Sequence, residues 1–139
     1  MSALATVARV AALREKSARA AVAAANHQLN DAVDVAVEAV QHAADEIPGV
    51  SVELAHQLGL LRAGGALQAT AAVDDAERGR LAALEQWQRA SARATQLDDV
   101  LARHLEEAAL AREAAVQREL DDRSPRRSPS DDAPWEAGE

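Results

Sequence analysis

Residues 3 to 46 carry a helical pattern whose apolar positions are almost all alanine and valine, and this most limits what the chain can fold into. Small or apolar side chains recur at Leu4, Val7, Ala11, Ala18, Val22, Ala25, Leu29, Val33, Ala36, Val40, Ala43 and Ile47, in steps of three and four. Only the charged pair Arg14-Glu15 interrupts the run. Such spacing places one narrow stripe along a helix, a seam rather than a broad face. The stretch "IPGVS" then stops the pattern, because Pro48 disfavours helix at Ile47 and Gly49 supplies the freedom for a reversal.

The rest of the chain reads as more helix. Ser51 is placed to cap a short helix over 51–63, where Leu54, Leu58 and Leu61 form the densest apolar cluster in the sequence. Gly64 and Gly65 are expected to interrupt it. A second long helix is expected over 66–123, with a stripe through Leu81, Leu84, Trp87, Ser91, Ala94, Leu97, Leu101, Leu105, Ala108, Ala111 and Ala115. From 124 to 139 the text changes to "SPRRSPSDDAPWEAGE", whose prolines, serines and charges predict a disordered tail containing Trp135. The expected fold is all-α: helix 3–46, turn 47–50, short helix 51–63 and helix 66–123, forming a long antiparallel coiled-coil hairpin over 1–123. Pairing within one chain and pairing between two chains satisfy the same stripes.

Composition narrows the function. The chain has 48% hydrophobic residues, but with no Phe, no Tyr and only two Trp the side chains that usually fill a thick core are missing. A buried alanine contributes about 0.8 kcal/mol, against roughly 2 kcal/mol for a leucine. A weakly filled hairpin of this kind is a poor enzyme scaffold and a serviceable arm or stalk. The net charge of −8 argues against nucleic acid, whose phosphates call for a basic surface. That charge is unevenly placed: Arg9, Arg14, Lys16 and Arg19 lie near the start, whereas Asp31 to Leu60 holds six acids and no lysine or arginine. There is no cysteine and no run of about 20 apolar residues, so neither a disulfide nor a membrane span is expected. A cytoplasmic location is the default expectation.

Chemistry-bearing motifs are sparse. His27, His42, His56 and His104 lack the spacing of metal ligands, and "RAGGA" lacks the Lys-Ser/Thr of a phosphate loop. The paired acids Asp74-Asp75, Asp98-Asp99, Glu106-Glu107 and Asp121-Asp122 are expected on solvated helix faces. No catalytic residue, cofactor or metal site is assigned, and the chain is not expected to be an enzyme. A secreted helical hairpin of the type VII substrate kind and a homodimeric scaffolding coiled coil are the alternatives. The former carries Trp-x-Gly at its turn, where "IPGVSVE" stands here.

The two ends, "LATVARVAALREKSARAAVAAA" (Leu4 to Ala25) and "LEEAALAREAAVQRELDDRSPRR" (Leu105 to Arg127), resemble the terminal regions of the FliJ family, the small coiled-coil proteins of the flagellar type III export apparatus. The likeness lies in the Arg14-Glu15 pair followed by alanines, and in Gln117, Leu120, Asp121 and Asp122 near the close. It implies a stalk whose terminal end enters the hexameric export ATPase, with Arg9, Leu13, Arg14, Arg112, Val116, Arg118 and Leu120 as contacts. It also implies contact with the cytoplasmic domain of the export gate, handling of export chaperones, and attachment to the inner face of the membrane through partners. Relatives commonly offer aromatic residues to the gate; this chain has none between Met1 and Gln86, leaving Leu54, Leu58 and Leu61 for that role.

Overall fold

The computed structural model describes residues 2–124, and two helices account for nearly all of them: α1 (Ala3–Ala44) and α2 (Val52–Arg123). No strand occurs among the described residues. Trp135 and the rest of the predicted tail beyond Ser124 lie outside them. No described helix is long and apolar enough to cross a membrane. By its internal contacts the chain divides into two units, Met1–Asp98 and Asp99–Glu139.

The first unit is an antiparallel helical hairpin within one chain. Both helices start at a serine cap. Ser2 Oγ accepts the amide of Ala5 at 3.2 Å, and Ser51 Oγ accepts that of Leu54 at 3.3 Å, satisfying donors that a first helical turn leaves orphaned. α1 ends at Ala44, two residues before the expected boundary, because Asp45 is already extended and its amide turns back to the His42 carbonyl at 3.3 Å. Arg62 of α2 then caps the open end of α1: its Nη1 donates to the carbonyls of His42 at 3.2 Å and Asp45 at 3.5 Å. A cation at a helix C-terminus also meets the negative end of the helix dipole. Gly49, at φ 79°, makes the reversal.

The expected break at Gly64-Gly65 does not occur. α2 runs through both glycines, so the short helix over 51–63 and the helix over 66–123 are one element. Each glycine costs about 1 kcal/mol relative to alanine in a helix interior, a local preference that packing on both sides outweighs. Arg62 is tied to α1 before the pair, and Ala66 and Ala69 are half-buried after it.

The seam is narrower and more alanine-rich than the stripe of largest residues. On α1 its half-buried or buried positions are Leu4, Ala8, Ala11, Glu15, Ala18, Val22, Ala25, Leu29, Ala32, Ala36, Ala39 and Ala43, alternating steps of four and three without a gap. Val7, Val33 and Val40, expected inside, are exposed. The methyls of Ala8, Ala32 and Ala39 let the helices approach closely, and that approach leaves the bulkier valines at the edge. α2 answers with Ala55, Gly59, Arg62, Ala66, Ala69, Val73, Ala76, Arg80, Ala83, Trp87, Ala90, Ala94 and Leu97, at the same alternation. Leu81, expected in the seam, is exposed and Arg80 and Ala83 take its place. Among the described residues only Ala8, Ala11 and Ala94 are buried.

The second unit contributes the last part of α2. Leu101 and Ala108 there are half-buried; the other helical residues, including Leu105, Ala111 and Ala115 of the expected stripe, are exposed.

Candidate functional site

Three charged residues occupy seam positions, and each has a specific partner. Glu15 faces Trp87, whose indole Nε1–H donates to Glu15 Oε1 at 2.9 Å; Arg19 donates to the same oxygen at 2.7 Å from one turn along α1. The Trp87 bond holds the Glu15 carboxyl below its usual value of 4.5, with Arg19 acting in the same direction and desolvation opposing both. Arg80 donates from Nη2 to Glu77 Oε1 at 2.6 Å and from Nε to its other oxygen at 3.3 Å; that bond lowers the Glu77 carboxyl and raises the guanidinium. Arg62 is the cap already described. A lone ring opposite a lone carboxylate fixes which residue of α2 faces which residue of α1, something uniform alanine cannot do.

Among the described residues no group of histidines and acids could hold a metal ion, and no buried side-chain polar atom lacks a partner. His27, His42, His56 and His104 are exposed. Functional potential therefore has to be sought on the outer faces, where two concavities lie along the hairpin. The smaller, about 90 Å³, is lined by Val7, Val10, Ala11 and Arg14 of α1 with Ala90, Arg93 and Leu97 of α2. The larger is an open trough of about 490 Å³ between Val33, Ala36, Val37, Val40 and Gln41 of α1 and Thr70 and Val73 of α2. They mark opposite ends of the hairpin. They also flank the seam on opposite sides, since Val7 and Arg14 precede seam residues Ala8 and Glu15 by one position whereas Val33 and Val40 follow Ala32 and Ala39 by one.

Arg9, Leu13 and Arg14 are all exposed on α1, and only Arg14 borders a concavity. In the second unit Arg112, Val116 and Leu120 are exposed at spacings of four, so they share one side of the helix. Arg118, also exposed, points away from that side. Leu54, Leu58 and Leu61, at steps of four and three, share one side of α2: Leu58 is half-buried, Leu54 is exposed and Leu61 is 72% exposed. Sequence reasoning missed the trough, because Val33 and Val40 had been placed inside. It also missed the Glu15–Trp87 pair, whose only signal was a charge at a seam step and a single large ring.

Comparison with known proteins finds no matching family model, no similar curated protein and no similar solved structure.

Proposed function

We propose that this chain is a non-catalytic coiled-coil component of a flagellar type III export apparatus, serving as the stalk that couples the export ATPase to its neighbours. The observation carrying this reading is that, among the described residues, the hairpin buries only three alanines while leaving leucines, valines and arginines along its outer faces. A surface so disposed is suited to being gripped by other proteins rather than to sheltering a reaction. The resemblance of its two ends to the FliJ family supplies the particular partner.

On this reading Arg9, Leu13 and Arg14, with Arg112, Val116, Arg118 and Leu120, contact the ATPase hexamer. Leu54 and Leu61 are open to the cytoplasmic domain of the export gate, and Leu58 supports them from the seam edge. The protein works in the cytoplasm, at the membrane's inner face through these partners, and meets export chaperones there. Copurification of the full chain with the export ATPase of its own genome, with stimulated hydrolysis by the hexamer, is the expected result. Val116→Asp and Leu120→Asp, both at exposed sites, should weaken co-elution at least tenfold while leaving helical content unchanged. Absence of co-elution together with an unchanged hydrolysis rate refutes the assignment.

A further inference from the structure

We infer that the trough near the turn of the hairpin is the docking site of a basic amphipathic helix from a partner protein. Positions flanking a two-helix seam are ordinarily occupied by charged residues. Here Val33, Val37 and Val40 stand along one wall, with Thr70 and Val73 on the other. Leu67, three residues before Thr70, and Leu60, one heptad earlier, continue the α2 wall and are 72% and 62% exposed. In a chain with 27% charged residues this is a concentrated apolar surface, and its form is a furrow between two parallel-sided helices. A third helix seats in such a furrow by packing against both walls at about 8–10 Å from each axis.

The charge around the furrow selects the kind of helix. Between Asp31 and Leu61 there are six acids and no lysine or arginine. Asp34 adjoins Val33 and Val37, and Asp74 lies next to Val73 and one heptad after Leu67, at the trough's α2 wall; Glu53 lies on the same side of α2, one heptad before Leu60 and toward the turn. None of these three forms an ion pair among the described residues. The nearby bases are engaged elsewhere: Arg62 on the end of α1, Arg80 on Glu77 and Arg78 on Asp75. An apolar floor with an unneutralised acidic rim complements a helix bearing leucines at i, i+3/i+4 and i+7 between flanking lysines and arginines. A second copy of this chain fits poorly, because a symmetric contact through the trough would bring two acidic rims together, with −8 on each molecule. None of the trough residues is among those assigned to the ATPase, so either proposal can fail without the other.

The test is a fluorescence anisotropy titration of the full chain with a labelled synthetic helix of about 18 residues, Leu-seamed and Lys/Arg-flanked. The comparator carries Glu at every Lys and Arg. The expected result is saturable binding of the basic peptide alone, weakened by added salt. Val37→Asp and Leu67→Asp should each weaken it at least tenfold, whereas Leu105→Asp, at an exposed site of the second unit, should leave it unchanged. Circular dichroism of each variant checks that the helices persist. Equal binding of the glutamate peptide, no binding at 100 µM, or full affinity in Val37→Asp would overturn the inference. So would light scattering showing a dimer that Val37→Asp dissolves, since the occupant would then be a second copy.

Discussion

Replacing glycines one at a time separates the two roles that glycine has here. An added Cβ at Gly64, Gly65 or Gly79 meets nothing within 4 Å, and all three lie inside α2. Alanine there costs no contact and removes glycine's backbone-entropy penalty, about 0.8–1.0 kcal/mol per site. Since each gain comes from backbone propensity and no added methyl meets another atom, the triple variant should gain about 2.5 kcal/mol. For a chain of this size that is roughly 8–12 °C in Tm. Gly49 also has open space around it, but its φ of 79° belongs to the left-handed region. Gly49→Ala should therefore lose about 1 kcal/mol, or about 3–5 °C, although no atom clashes. The assay is thermal melting of the full chain at 222 nm and one fixed concentration, with each substitution alone and combined. The informative comparison is Gly64→Ala and Gly65→Ala against Gly49→Ala. If the first two lower Tm as the last does, the chain bends at the pair and the continuity of α2 is wrong. No change at Gly64 and Gly65 would refute the propensity argument equally well.

Three further outcomes follow from the seam. Trp87→Phe keeps a ring but removes the N–H donated to Glu15. Because the folded-state carboxyl lies below 4.5, its contribution is complete above that pH and is lost as pH falls through the lowered value, so the Tm gap between wild type and Trp87→Phe should close below pH 4.5. A gap that stays constant from pH 7 to pH 3 would contradict that. Ala11→Leu overpacks a position that is 6% exposed and should cost about 1–3 kcal/mol in denaturant melts, whereas Ala12→Leu next to it, exposed, should stay within about 0.5 kcal/mol. Equal effects would mean that Ala11 is no more enclosed than Ala12, and a larger cost at Ala12 that the seam is turned the other way. Ser51→Ala should cost about 1 kcal/mol by removing the acceptor for the Leu54 amide, and an unchanged midpoint would show that α2 starts elsewhere.

The two helices, their reversal at Pro48-Gly49 and the cap at Ser51 were legible because each rests on a short-range signal of known sign. Continuity through Gly64-Gly65 was not. A local penalty of about 1 kcal/mol per glycine reads as a break only when nothing across the seam opposes it, and Arg62 reaching the end of α1 is invisible in a linear text. The buried side of α1 was misread by one residue at three places. Ala36 is followed by both Ala39 and Val40 at permitted helical steps, and size favoured the valine. Closest approach of the helices favours the alanine instead. The Glu15–Trp87 bond joins residues 72 apart, so no local pattern carries it. The candidate contact residues of the two terminal regions are exposed, and in the apolar cluster Leu54 and Leu61 are exposed with Leu58 half-buried; which partner any of them meets is carried by no local pattern.

The one-residue rotation that places Ala32 and Ala39 inside is also what places Val33 and Val40 at the trough. A hairpin turned the other way would bury those valines, gaining on the order of 1 kcal/mol per side chain over alanine. That gain would require the helices to stand further apart. Contacts along the present seam, including the Trp87 N–H on Glu15 and the Arg62 hold on His42 and Asp45, belong to the present facing of α1 and α2. The alanine seam thus leaves the valines outside it, and the exposed valines become the apolar floor of a furrow edged by acids. Stability given up within the hairpin is the same apolar area that remains for a partner helix, so the binding surface follows from how the seam is built.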